Sequence, residues 1–244
     1  MIRSLALLFL LANPLWALEC SNDQFEDTPF SICSANVEKD DLRIFLRNDK
    51  NDIFGRFQTL DVYLKGQGLT LDFAMNGGMF RPDLTPVGLY IEDGKLLRKA
   101  VSRAGPGNFG MLPNGVFCIS ENSVQVLETS AYLQDSPSCH FATQSGPMLV
   151  IDGKLHPKFL ENSSSRFIRN GVGTSQEGQW AHFVITNRPI IFHKFARLFK
   201  DHLGLNSALY LDGNVSQMYA PPLNRGGHGR SLGPIIGVVS PAAD

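Results

Sequence analysis

From about residue 43 onward, short apolar runs alternate with polar, glycine-bearing turns. RIFLR at 43–47 reads as a strand. After Phe54 the apolar spacing changes. Phe57, Leu60 and Leu64 recur at intervals of three and four, the period of one helix face. Gly66 and Gly68 can stop that helix, and LTLDFAM at 69–75 follows as a strand that ends in NGGMF. The same order returns late in the chain. Phe195, Leu198, Phe199 and Leu203 form a helical stripe, Gly204 ends it, and SALYL at 207–211 is an apolar strand running into DGNVS. Near-continuous apolar runs suit strands buried on both faces. These two are therefore expected as central strands whose C-terminal ends open onto one edge.

Between them lies a weak repeat. LYIEDGKLL at 89–97 and MLVIDGKLH at 148–156 each place an Asp-Gly turn between apolar runs, the signature of a tight hairpin. PNG at 113–115 and SENS at 120–123 read as turns, and ENSSSR at 161–166 as a surface loop. WAHFVITN at 180–187 and the C-terminal SLGPIIGVVS supply two further strands, while residues 18–40 read as irregular and polar. The pattern predicts an α+β single domain with a mixed, strongly curved β-sheet and two principal helices. Strands and helices do not alternate regularly enough for a doubly wound fold.

The first residues change the picture of where this domain works. MIRSLALLFLLANPLWALEC has one Arg, an apolar stretch from Leu5 to Ala12, and a small residue, Ala17, at a cleavage position. That is the layout of a secretory leader, and it is short for a membrane span. Residues 1–17 are expected to be removed, leaving residues 18–244 as one domain. Glu19 weakens a lipid-anchor reading of ALEC, and no later segment is apolar enough to cross a bilayer, so no stable membrane anchor is expected. A periplasmic or secreted bacterial location follows. Cys20, Cys33, Cys118 and Cys139 make an even count in an exported chain, which suggests two disulfides. Three pairings are possible; the sequential one, Cys20–Cys33 with Cys118–Cys139, closes the shortest loops. A net charge of −1 and the lack of a basic stripe argue against nucleic acid.

Four polar clusters interrupt the apolar strands, and each has a plain structural reading beside a chemical one. Asn76-Gly77-Gly78 is either a turn or a place where a ligand approaches backbone beside an amide. Ser145-Gly146 either starts a strand or presents a hydroxyl and N–H groups to an anion. Arg169, beside a glycine-rich strand with Thr174 close behind, is either a surface charge or a fork for a carboxylate or phosphate. Asp212-Gly213-Asn214-Val215-Ser216 is either a hairpin turn or a carboxylate aimed by one. Arg225 to Arg230, with His228 between them, is a glycine-dense candidate lid. There is no nucleophile elbow, no zinc-protease motif and no Walker loop.

Taken in order, NGGMF, SGPMLVIDGK, RNGVGT and YLDGNVSQMY resemble the phosphodiester glycosidase family across roughly residues 70 to 240. The resemblance implies hydrolysis of a sugar-1-phosphodiester, with a carbohydrate or sugar-phosphate substrate. It carries family site positions onto Asn76, Gly77, Gly78, Ser145, Gly146, Arg169, Asp212, Gly213 and Ser216, and onto Arg230 nearby. The family commonly has Asp-Gly-Gly-Gly-Ser where this chain has Asn214 and Val215, so the pocket is expected to be narrower or differently lined. On this reading Asp212 is base or nucleophile, Arg169 grips the phosphate with Arg230, and Asn76, Ser145 and Ser216 orient the ligand. No cofactor is expected, although Asp212 and Asn214 could offer oxygen ligands to a divalent metal. A non-catalytic periplasmic glycan- or phosphate-binding module is the alternative. The sugar, the aglycone, the stereochemical outcome and the oligomeric state are not legible.

Overall fold

A computed structural model describes residues 18–213 and 215–242. The expected leader, residues 1–17, and the candidate ligand residue Asn214 lie outside the described residues. Among those described, seventeen strands form three sheets, and every strand pairing in them is antiparallel. The protein is thus predominantly β, and the expected mixed sheet is corrected to three antiparallel ones. Among the described residues, six of the fourteen neighbouring pairs are consecutive strands joined by hairpins or short returns, which antiparallel pairing permits, and the other eight bring together strands distant in sequence.

The seven-stranded sheet runs, in spatial order, Glu19–Phe25, Thr28–Asn36, Trp180–Thr186, Asn170–Thr174, Ser207–Tyr210, Met148–Ile151 and Lys154–Leu155. A five-stranded sheet centres on Leu69–Asn76, between Met218–Ala220 and Ile235–Pro241. The third sheet centres on Phe141–Ser145, between Tyr90–Glu92 and Gly115–Ile119. Both strands read as central from their apolar runs are central. Phe73, Met75, Phe117, Val172, Phe183 and Leu209 come from all three sheets and share one core. Phe73 and Phe117 both pack on Phe183, at centroid distances of 5.0 and 5.8 Å.

Helices cover outer faces. Phe57, Leu60 and Leu64 of the helix Phe57–Lys65 bury against Leu71, Ala74 and Val239. Phe195, Leu198 and Phe199, from Phe192–Arg197 and the wider turn Leu198–His202, bury against Leu149, Val184 and Ala208. The two predicted stripes are therefore the two packing faces. A third short helix, Thr129–Asp135, was not foreseen; it buries only Thr129 and carries no stripe to read.

Residues 18–40 are a second correction. They form the hairpin Glu19–Phe25 and Thr28–Asn36, with Cys20 directly opposite Cys33. The polarity that suggested irregular structure belongs to the edge strand Glu19–Phe25, most of whose residues are exposed on both faces. Both expected Asp-Gly hairpins are present, with Asp93–Gly94 and Asp152–Gly153 at positive φ, as a tight primed turn requires. Disulfides join Cys20 to Cys33 and Cys118 to Cys139, which suits an oxidising extracellular or periplasmic compartment. No helix among the described residues is long and apolar enough to cross a membrane. The second disulfide spans 21 residues, so by loop-closure entropy it contributes about 3 kcal/mol. Cys118→Ala/Cys139→Ala is expected to lose stability of that order in urea melts, whereas an unchanged midpoint would show that the pair is not formed.

Candidate active site at the meeting of three sheets

Strand ends from all three sheets converge on one buried polar network. Asn76 ends the strand Leu69–Asn76, and Asn170 begins Asn170–Thr174. Both side chains are fully buried. They form a reciprocal amide pair: Asn170 Nδ2 donates to Asn76 Oδ1 at 2.6 Å, and Asn76 Nδ2 reaches Asn170 Oδ1 at 3.4 Å. A buried amide needs such partners, since an unsatisfied one costs roughly 1–3 kcal/mol. The remaining capacity of each oxygen goes to the late turn. Asp212 N donates to Asn170 Oδ1 at 3.1 Å, and Gln217 N donates to Asn76 Oδ1 at 3.0 Å.

The Asp212–Ser216 segment is thereby held at both ends. The Ser216 hydroxyl closes it, donating to the Asp212 carbonyl at 2.7 Å. From the third sheet, the Ser145 hydroxyl donates to Leu211 O at 2.6 Å, fixing the residue that precedes Asp212. Gly78, at φ 130°, backs onto Ser145 and Thr143, where a Cβ would press 2.8 Å from Thr143 Oγ1. Gly77 N donates to Pro234 O at 2.7 Å. At Gly146 a Cβ would meet Asn114 Cβ at 2.7 Å. These candidates are therefore brought together, but Asn76 and Ser145 are fully buried. Their hydrogen bonds go to the late turn and its flanks.

Above the network lies an open cleft of about 480 Å³. Among the described residues lining it are Arg166, Phe167, Gly213, Ser216, His228 and Arg230; Asp212 is not one of them, although its chain neighbour Gly213 is. Gln217 ties the glycine-rich loop to the floor, with Nε2 donating to Arg230 O at 2.8 Å. Arg225, at the other end of that loop, turns away to Ser31 and Asn187, 2.8 and 2.7 Å from its Nη1.

Two predicted site residues sit elsewhere. Arg169 does not line the cleft. Successive strand residues face opposite ways, so where Asn170 faces the network, Arg169 is fully buried on the other side. Its Nε donates to Ile190 O at 2.8 Å and its Nη2 to Ser165 O at 3.0 Å, while Nη1 is buried with no hydrogen-bond partner among the described residues. Its guanidinium carbon lies 3.6 Å from the centre of the Phe192 ring, and 5.6 Å from those of Phe167 and Tyr210. Such cation–π contacts offset part of the cost of burying a charge. Burial pulls its pKa down. The direct phosphate grip expected of Arg169 is therefore not available in this arrangement. Thr174 is likewise displaced. It lies at the far end of its strand, roughly 13 Å along, where its Oγ1 accepts from Val126 N at 3.2 Å.

Arg169 still touches the site indirectly. Burial pushes the Tyr210 hydroxyl well above its ordinary pKa, with nearby Asp212 raising it further and Arg169 pulling it back. The same hydroxyl presses on Gly213, where any Cβ would collide with it. Arg169 and Asp212 thus act with opposite sign on the same Tyr210 hydroxyl. Asp212 is the carboxylate there that could offer oxygens to a cation. Among the described residues, no group of three or more His, Cys, Asp or Glu side chains gathers to hold a metal. Sequence reading missed Asn170 and Gln217. A signal existed for Asn170: two strand ends carry Asn-Gly, at 76–77 and 170–171, and they pair.

The family model described as phosphodiester glycosidase matches residues 70–239. The uncharacterised protein YigE of Escherichia coli strain K12 is 32% identical over 208 residues, covering 84% of this chain and 81% of that one. The solved catalytic domain of zebrafish N-acetylglucosamine-1-phosphodiester alpha-N-acetylglucosaminidase, auto-inhibited by its pro-peptide, superposes with a TM-score of 0.58 at 16% identity, over 91% of this chain and 81% of that one. A hypothetical protein from Synechocystis does so at 0.56 and 13% identity, over 91% of this chain and 61% of that one. These two structural likenesses support the fold.

Two outcomes follow from the network. Asn170→Ala leaves Asn76 and the Asp212 N–H short of partners and is expected to cost about 2–3 kcal/mol, read from denaturant melts; a cost near zero would mean water replaces the amide. Gly213→Ala is expected to destabilise the fold, and Tyr210→Phe in the same chain to recover much of the loss. Without the hydroxyl, the nearest ring atom would be Cζ at 3.2 Å from the added methyl.

Proposed function

Since the chain belongs to the phosphodiester glycosidase family, we propose that it hydrolyses a sugar-1-phosphodiester of an envelope or extracellular glycan. The observation that carries this reading is the pairing of a rigidly held Asp212 turn with a cleft whose charged lining residues are cationic. A phosphodiester enters with one negative charge. When the bond from the anomeric carbon to the phosphate oxygen breaks, the electron pair leaves with the phosphate, which becomes a monoester of higher charge. Preorganised cations act most strongly where such charge develops. Arg230, at the end of the glycine-rich loop, takes this role.

Asp212 serves as the base that accepts a proton from the attacking water, or as the nucleophile at the anomeric carbon. Ordinary glycosidases use two carboxylates, one of them to protonate a poor leaving group. A phosphate leaves readily, so a single carboxylate suffices here. Asn76, Asn170, Ser145 and Ser216 hold the Asp212 turn. Arg169 supplies a buried positive charge beneath it, acting through Tyr210. No cofactor enters this scheme. An export leader over residues 1–17, with the catalytic domain from residue 18, completes the proposal.

Incubation of the purified protein with a panel of sugar-1-phosphodiesters tests this directly. Release of free sugar is expected, with Asp212→Asn lowering kcat by about 10²–10⁴-fold at unchanged thermal stability. Arg230→Ala is expected to lower kcat/KM by about tenfold. Binding without product would establish the non-catalytic module instead. Full activity of a folded Asp212→Asn variant would remove Asp212 from the chemistry.

A further inference from the structure

The loop before the strand Asn170–Thr174 carries Arg166 and Phe167, neither of which belongs to the motif set above. Phe167 is 46% exposed, a large apolar side chain at the rim of a polar cleft. It is nevertheless held firmly. Its N–H donates to Ile190 O at 3.2 Å and its carbonyl accepts from Ile190 N at 2.8 Å. Its ring centre lies 5.6 Å from the buried Arg169 guanidinium carbon. An exposed aromatic with a fixed backbone and a seated ring is a preorganised stacking surface. It forgoes burial that a mobile loop could have found.

Arg166 is exposed beside it, on the same side of the cleft. Arg230 and His228 line the same cleft from a different segment, the glycine-rich loop. Neither Arg166 nor Arg230 has a carboxylate partner among the described residues. The diester enters with one negative charge, and Arg230 is assigned above to that charge and to its growth on cleavage. Arg166, from a different segment and with an aromatic face next to it, is then left for a further group of the substrate.

We propose that Arg166 and Phe167 form a specificity subsite for the leaving group, one that stacks a sugar ring on Phe167 and binds a second anionic substituent on that ring through Arg166. The preferred substrate is then a sugar-1-phosphodiester whose aglycone is itself an acidic sugar. Phosphate and carboxylate share the planar or near-planar oxygen pairs that a guanidinium fork accepts. Stacking of a sugar face on an aromatic ring adds affinity without demanding charge. This inference rests on the hydrolase reading above and adds the class of aglycone to it.

The test compares four diesters of one sugar: a methyl phosphodiester, and diesters to a neutral sugar, to a sugar bearing a phosphate and to a sugar bearing a carboxylate. The wild-type chain is expected to favour the acidic aglycones over the neutral sugar by about tenfold or more in kcat/KM, one charge-assisted contact being worth that much. Arg166→Ala should erase that preference, lowering kcat/KM on the acidic aglycones about tenfold more than on the methyl diester. Phe167→Ala should weaken every sugar aglycone through KM and spare the methyl diester. Whichever acidic aglycone loses more in Arg166→Ala identifies the natural anion. Equal rates on neutral and acidic aglycones, or an acidic preference that survives Arg166→Ala, would overturn the subsite. If wild type cleaves none of the substrates, the hydrolase reading fails by itself. Calorimetric binding of a sugar phosphate to wild type and Arg166→Ala then decides the subsite alone. A loss of about tenfold in the variant supports it, and equal affinity overturns it.

Discussion

The amide pair between Asn76 and Asn170 is the constraint on which the site depends. It joins the end of one sheet to the start of a strand in another, inside protein that excludes water. In such surroundings a satisfied pair is strong, and a broken one leaves costly orphaned groups. The two amides can therefore adopt few arrangements. The Asp212 and Gln217 N–H groups take the remaining acceptor capacity. The turn between them inherits its position from the pair. The glycine-rich loop inherits its own from Gln217. One buried contact thus sets the floor of the cleft and the attachment of the glycine-rich loop that lines it.

Charge and geometry are supplied by separate layers. Neutral amides and hydroxyls fix the turn, and none of them needs to change protonation. Positive charge comes from above, through Arg166 and Arg230, and from below, through the buried Arg169. The division follows from strand geometry. Arg169 and Asn170 are neighbours in sequence, yet one faces the aromatic cluster around Phe192 and the other faces the network. A cation within the amide network would have forced its polar groups to reorganise around it. Placed beneath, behind Tyr210, it contributes a field without competing for hydrogen bonds.

The close approach at Gly213 shows how tightly these layers are stacked. The Tyr210 hydroxyl occupies the space a side chain would fill. A glycine here is required by packing against the residue three positions earlier, in addition to any turn preference. The disulfides, by contrast, lie away from the floor, one in the edge hairpin and one in the third sheet. They secure the outer strands, while the shared core and the amide pair position the site.

Much of this was legible in the chain itself. Helix stripes at Phe57–Leu64 and Phe195–Leu203, apolar central strands and Asp-Gly hairpins are local periodicities, and local sterics and burial write them directly. Four motifs in order identified the family, and each sits at a strand end. Other features were decided only by tertiary structure. Whether sheets pair parallel or antiparallel depends on partners distant in sequence, so the mixed sheet was misjudged. Thr174 looked close to Arg169 in the sequence but is separated from the network by a full strand length. Arg169 looked like a ligand-facing fork because a sequence shows that an arginine is present and not which face of its strand it occupies. The partner of Asn76 lies 94 residues away. Residue type and local spacing determine which groups are available for chemistry; only the meeting of three sheets determines which of them share one water-excluded network and which are left facing the cleft.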